Sequence, residues 1–274
     1  MDIYATVGQE LRTILLLLRV YIVMLVVQNL HKHFGGLAAL DGASFEVAEG
    51  TITSLIGPNG AGKTTLFNIV SGLLRPTAGT IMFKGVDVTG WSPHRIARAG
   101  MGRTFQNIQL FEHLNALENV IAARFCRTQS SLLESLLLLP RDRQERQRSR
   151  AVAEELLVWV GLEAQRFLMP RELPYGDQRR LEIARALATE PALLMLDEPS
   201  AGMSHQEAQE LMALIGRLRE RGTTILLIEH NMHLVMAISD QIVVLNFGKK
   251  IAQGSAAEIQ TNPEVIEAYL GVEA

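Results

Sequence analysis

Residues 57–65 read Gly57-Pro58-Asn59-Gly60-Ala61-Gly62-Lys63-Thr64-Thr65. They fit the pattern G-x-x-x-x-G-K-[ST], and the spacing has a chemical reason. Glycines let the backbone curl so that successive N–H groups point inward at phosphate oxygens. A helix that opens at the lysine turns its positive N-terminus on the same charge. In this pattern the Lys63 ammonium reaches the β- and γ-phosphates and the Thr64 hydroxyl ligates magnesium. The flanks supply the context the motif needs. Thr51 to Ile56 reads as a strand, Gly57 to Gly62 as a turn and Lys63 to Gly72 as a helix.

Downstream, Leu193-Leu194-Met195-Leu196-Asp197-Glu198 runs from four apolar residues into two acids. A buried strand that delivers a carboxylate at its C-terminal end places it at the ligand crevice of an open α/β sheet. Asp197 is then the candidate to hold magnesium, through water, and Glu198 to orient or deprotonate an attacking water. Thr224 to Ile228 is a second apolar run with polar ends, as expected for a strand buried on both faces. Gln241 to Phe247 and Lys250 to Gln253 read as the last strands, and Gly79 to Lys84 as a short one. Val20 to Gly50 reads as antiparallel strands with turn signals at Gly35-Gly36 and Asp41-Gly42. Pro93 to about Leu187 is almost all helical by pattern. Strands alternating with helices imply a parallel sheet. The fold expected is α/β: a P-loop core with a mostly parallel sheet, an antiparallel β subdomain, and an inserted helical subdomain over about 93–187. Within that insert, Arg141 to Arg150 reads as a solvated helix face.

Composition narrows the class. The chain has 274 residues, with 48% hydrophobic and 20% charged residues, which is globular and not disordered. A net charge of -3 speaks against a nucleic-acid partner. The single Cys126 cannot form an internal disulfide, and a reduced, intracellular setting fits. The oiliest stretch, Ile14 to Val27, is interrupted by Arg19 and falls short of the roughly 20 apolar residues a membrane span needs.

A phosphate loop alone does not separate transport ATPases from GTPases, kinases or helicases. No Asn-Lys-x-Asp base-reading segment of a GTPase occurs. What occurs is Leu173-Pro174-Tyr175-Gly176-Asp177-Gln178-Arg179-Arg180-Leu181-Glu182-Ile183-Ala184-Arg185-Ala186-Leu187, just ahead of the carboxylate strand. This resembles the signature segment of the ATP-binding cassette (ABC) superfamily, and the resemblance runs from about Val23 to the C-terminus. The usual Leu-Ser-Gly-Gly-Gln becomes Leu173-Pro174-Tyr175-Gly176-Asp177. Pro174 has no hydroxyl and no N–H, so phosphate recognition there would lean on the Gly176 backbone and the helix dipole. Three further stretches resemble the longer ATP-binding subunit of branched-chain amino acid importers. They are Gly102-Arg103-Thr104-Phe105-Gln106-Asn107, Glu229-His230-Asn231-Met232 with Leu234-Val235-Met236, and Asn262-Pro263-Glu264-Val265-Ile266-Glu267-Ala268-Tyr269-Leu270-Gly271.

The resemblance implies further roles. Gln106 matches the residue that links the nucleotide's magnesium to the transmembrane partner. His230 matches the switch histidine at the γ-phosphate. Phe34 matches the aromatic that stacks on adenine, for which the π-face suffices. Ser200-Ala201-Gly202-Met203 matches a loop that crosses a dimer interface, and Ser204 reads as a helix N-cap. Leu173, Gly176 and Asp177 would close over a second subunit's ATP. The implied protein is an ATPase that powers an ABC importer, for branched-chain or related amino acids. It would use ATP and magnesium, pair with an identical or shorter sister ATPase, and dock on separate permease subunits at the cytoplasmic face of the membrane. A solute-binding protein would act indirectly. A urea or amide importer, or a soluble regulatory ABC ATPase, are the alternatives. Residues 24–274 form the expected ATPase domain. Residues 1–23 form an extension without a motif, and Met24 is the expected start of translation.

Overall fold

The computed structural model describes residues 23–128 and 140–270. The extension 1–23 and the strand expected from Val20 lie in part outside the described residues. In chain order the strands are β1 (Val23–Phe34), β2 (Leu37–Ala48), β3 (Ile52–Ile56), β4 (Ala78–Phe83), β5 (Val86–Asp87), β6 (Met101–Arg103), β7 (Leu193–Asp197), β8 (Thr224–Ile228), β9 (Gln241–Asn246) and β10 (Lys249–Gly254). The helices are α1 (Lys63–Val70), α2 (Pro93–Ala99), α3 (Ala116–Ala123), α4 (Pro140–Trp159), α5 (Tyr175–Ala188), α6 (His205–Glu220), α7 (Met232–Ile238), α8 (Ala256–Gln260) and α9 (Pro263–Leu270).

One sheet is antiparallel, in the order β2-β1-β4-β5. The other is ordered β10-β9-β3-β8-β7-β6, parallel except for the last hairpin β9–β10. The period of two along a strand explains how that sheet holds two layers. Leu193 and Met195 of β7, and Leu226 and Ile228 of β8, face α1 and the antiparallel sheet. Their alternates Leu194, Leu196, Ile225 and Leu227 face the helical side with Leu181, Leu211 and Ile215. All five residues of β3, of β7 and of β8 are buried. That is why β7 and β8 read as apolar runs, while β3 buries Thr53 and Ser54 among its apolar residues. Helix α1, with Leu66, Phe67 and Val70 fully buried, lies between the two sheets and carries the phosphate loop at its N-terminus.

Two local expectations differ from the structure. Asp41-Gly42 does not turn the chain. It lies inside β2, where Gly42, at φ 82, is the extra residue between the Leu30–Ala43 and His31–Asp41 pairs. A bulge needs the same positive φ as a turn, so an Asp-Gly pair serves either. The hairpin turn itself is at Gly35-Gly36, as expected. The span read as helical also holds β6, which pairs in parallel with β7 through Met101–Leu193 and Arg103–Met195. Three residues are too few for a period to show.

Candidate active site

Parallel register brings the C-terminal ends of β3, β8 and β7 to one edge, with Leu55 and Asp197 both opposite Ile228. The chain leaves that edge at Gly57, at Glu198 and at Glu229-His230. In the first of these loops the glycines are obligatory. Gly57 has φ 148, and a Cβ there would lie 2.1 Å from the Leu245 carbonyl oxygen. Gly62 has φ 100, and its Cβ would lie 2.5 Å from the Ala39 carbonyl. Helix α1 then starts with no side-chain cap and no acid in its first turn. Its N-terminal N–H groups and dipole therefore face the loop without a side chain competing for them. Lys63 is buried, and its ammonium donates to the Gly57 carbonyl at 2.6 Å and the Pro58 carbonyl at 3.0 Å. Burial pulls the Lys63 pKa below its ordinary value, while the Glu198 and Asp197 carboxylates oppose that pull.

Glu198 is the junction of the site. It holds φ 48, a left-handed conformation uncommon outside glycine, found where the surroundings over-determine it. Its N–H donates to the Ile228 carbonyl at 2.9 Å. One carboxylate oxygen accepts from Gln106 Nε2 at 3.1 Å, and the other is 2.7 Å from His230 Nε2. The three candidate catalytic residues thus meet at one carboxylate. Gln106, Glu198 and His230 line a cleft of about 540 Å³ together with Asn59 to Thr65 and Phe34. Phe34 is half-exposed at the end of β1, with the Lys32 ammonium 5.0 Å from its ring centroid.

Asp197 is buried beneath this surface, paired with Arg103 at 2.9 Å. Burial raises its pKa above the ordinary range, and Arg103 opposes the shift. For a magnesium ion held mainly by nucleotide phosphates and water, one carboxylate and one hydroxyl are the expected protein donors. Asp197 and Thr64 are hard oxygen donors of that kind. Among the described residues no group of three or more His, Cys, Asp or Glu forms a metal cluster. This pair of oxygen donors fits a magnesium ion that arrives with a nucleotide.

Leu173, Gly176 and Asp177 are not in the cleft. Leu173 is buried, with its carbonyl accepting from Gln178 Nε2 at 2.9 Å. Pro174 is the N-cap of α5 and makes no side-chain cap bond. A Cβ at Gly176 would lie 3.0 Å from a Glu207 carboxylate oxygen, and one at Gly202 would lie 3.3 Å from the Tyr175 ring. The signature segment therefore packs on the 200–204 loop and the first turn of α6 of its own chain, away from its own phosphate loop.

Four residues that hold the site have no role in the sequence reading. Arg103 ties Asp197 to α1 through Asn68 Oδ1 at 2.8 Å and Ser71 Oγ at 2.6 Å. Glu229, buried, accepts from Ser200 Oγ at 2.6 Å and from the His230 N–H at 2.8 Å. It fixes both loops that flank Glu198. Arg179 and Glu182 of α5 form a buried ion pair at 3.1 Å. Arg179 donates to the Phe105 carbonyl at 2.9 Å and to the Gln106 carbonyl, and Glu182 accepts from the Phe105 N–H at 3.0 Å. The helix that carries the signature thus grips the backbone of Gln106. An i,i+3 pair of opposite charge in an otherwise apolar helix face was the available signal.

Fold and site together define a phosphate-loop nucleotide cassette. The ABC transporter family profile matches residues 40–201, and a profile described as branched-chain amino acid ATP-binding cassette transporter matches residues 249–274. The chain belongs to the ABC transporter family, as an ATP-hydrolysing subunit that powers transport. It is 45% identical, over 90% of its length and 98% of the relative's, to the high-affinity branched-chain amino acid transport ATP-binding protein BraF of Pseudomonas aeruginosa. It is 46% identical over the same shares to LivG of Salmonella typhimurium, a protein of the same description. A lipopolysaccharide export ATP-binding protein of Acidithiobacillus ferridurans is 38% identical over 90% of this chain and 97% of that one. Among solved structures, an ABC transporter cassette in its ADP conformation superposes with a TM-score of 0.79 at 32% identity, covering 91% of this chain and 99% of the other. Among the described residues no helix is long and apolar enough to cross a membrane. A transporter's ATPase subunit of this kind works with membrane permease subunits.

Proposed function

We propose that this chain binds Mg-ATP in the cleft between Phe34 and the phosphate loop and drives import of branched-chain or related amino acids. The observation that carries the catalytic reading is the meeting of Gln106, Glu198 and His230 beside Lys63. In this reading Phe34 stacks on adenine, and the N–H groups of Gly57 and of Asn59 to Thr65 surround the phosphates, with Pro58 shaping the loop between them. Lys63 exchanges its carbonyl partners for the β- and γ-phosphates. Thr64, Asp197 and Gln106 hold magnesium, which when bound neutralises phosphate charge. Glu198 accepts a proton from water attacking the γ-phosphorus, and ADP and phosphate leave. His230, held at Glu198 and fixed by Glu229, faces the γ-phosphate. Leu173, Gly176 and Asp177 act on the ATP of a second subunit, identical or a shorter sister, because they do not reach their own chain's cleft.

The partners follow from chemistry on the surface. An apolar groove of about 310 Å³ lies beside the Gln106 loop, lined by Leu73, Ile96, Phe105, Gln109, Ala123 and Arg185 among others. It suits a helix from a permease subunit, which supports reading the chain as peripheral at the cytoplasmic face of the membrane. An external solute-binding protein would act through the permease. The substrate class rests on the names of the relatives and on the match at residues 249–274. The test is uptake of labelled leucine by a strain lacking its own importers, given this chain together with the permease and binding-protein subunits of a branched-chain amino acid importer. Uptake that Lys63→Ala abolishes is expected. ATP hydrolysis without leucine, isoleucine or valine uptake, and with urea or amide uptake instead, would overturn the substrate assignment.

A further inference from the structure

Phe247 and Gly248 form a two-residue hairpin loop, since Asn246 pairs with Lys249 across β9 and β10. Both have positive φ, 44 and 78. A hairpin turn of that geometry favours Asn-Gly or Gly-Gly, and a bulky side chain at its first position is strained. Burial does not offset the strain here, because Phe247 is 80% exposed. The turn is nonetheless fixed. The Gly248 N–H donates to the Ala61 carbonyl in the phosphate loop at 3.0 Å, and its carbonyl accepts from the Asp41 N–H of β2 at 2.9 Å. A Cβ at Gly248 would lie 2.9 Å from the Ala39 carbonyl. The turn is wedged between the phosphate loop and the hairpin that ends in Phe34. Its ring lines the same cleft as Phe34 and the exposed Leu37.

We propose that Phe247 is a nucleotide-binding residue, packing its ring on the nucleoside moiety of the bound nucleotide and sharing that moiety with Phe34. The inference rests on the reading of this cleft as the ATP site. An aromatic face accepts any base, and the side chains beside it, Leu37, Ala38 and Ala39, carry no group to read a base edge. Phe247 therefore strengthens binding of ATP and GTP alike and adds nothing to recognition of phosphate.

The test is titration of the full chain with Mg-ATP, Mg-GTP and inorganic tripolyphosphate, by calorimetry. Phe247→Asn suits the turn, so its Tm is expected to be no lower than that of the wild type. It should weaken ATP and GTP by roughly two- to tenfold and leave tripolyphosphate unchanged. Phe247→Tyr should restore both nucleotides. If Phe247→Asn fails to fold, Phe247→Gly serves with the same expectations. Unchanged ATP affinity overturns the proposal, as does an equal loss for tripolyphosphate, which would place the effect in the phosphate loop. Normal nucleotide affinity with weakened ATP-driven dimerisation overturns it in favour of a contact with the second subunit. A wild type that binds no ATP would instead overturn the underlying reading of the cleft, together with this one.

Discussion

At the residue scale the site depends on how few atoms each group leaves unpartnered. Glu198 accepts from Gln106 on one oxygen and faces His230 on the other, on a backbone bent into the left-handed region. Replacing its carboxylate with an amide keeps the shape and the phosphate contacts but removes the proton acceptor. Glu198→Gln is expected to bind ATP with normal affinity while kcat falls by about 10²–10⁴-fold, and to accumulate as a closed dimer on gel filtration with ATP and magnesium. Hydrolysis at the wild-type rate would make His230 the leading candidate for the base.

At the scale of elements, α5 and α6 show how a helix serves a site it does not line. Arg179 and Glu182 are both buried, and between them they hold the backbone of Phe105 and Gln106. Removing one partner of a buried pair strands the other charge. Glu182→Ala is expected to destabilise the protein by about 3–5 kcal/mol in urea unfolding, and to lower kcat as the Gln106 loop loosens. Helix α6 depends on a capping box. Ser204 Oγ accepts from the Glu207 N–H, and the Glu207 carboxylate accepts from the Ser204 N–H and hydroxyl at 2.9 and 2.7 Å. Those bonds, the hydroxyl's first, hold the Glu207 pKa below the usual glutamate range. A depressed carboxylate contributes stability above its ordinary pKa and loses it as pH falls through the folded value. Ser204→Ala is therefore expected to lower Tm at neutral pH, with the deficit shrinking in acid. A deficit independent of pH would show that the carboxylate has no part in the cap.

At the scale of the whole molecule, the phosphate loop and the signature segment face different places. The first-turn N–H groups of α5 receive no side chain from Pro174, whose φ −53 and ψ 154 are those of an ordinary N-cap. Serine adopts that backbone and is a favoured cap. Pro174→Ser is expected to keep Tm within a few degrees or raise it, and to strengthen ATP-driven dimerisation in sedimentation measurements. A large fall in Tm would show that the proline sets the helix start by its fixed φ.

The sequence by itself determined whatever rests on local spacing. The phosphate loop is a contiguous run whose glycines are required by backbone geometry, so it was legible in full. The strands Leu193–Asp197 and Thr224–Ile228 were legible because burial on both faces makes a strand apolar at every position. The signature segment, and with it the family, was legible because its residues are consecutive. Tertiary structure alone decided what depends on register and packing. Whether Asp41-Gly42 turned the chain or bulged it depended on β1 lying opposite, because the two outcomes use the same φ. Whether Met101–Arg103 was a strand depended on β7 beside it, since three residues carry no period of their own. The supports of the site, Arg103 at Asp197, Glu229 at Ser200 and Arg179 at Gln106, join residues far apart in sequence. Each is a charge whose burial becomes tolerable only when the fold supplies its partner.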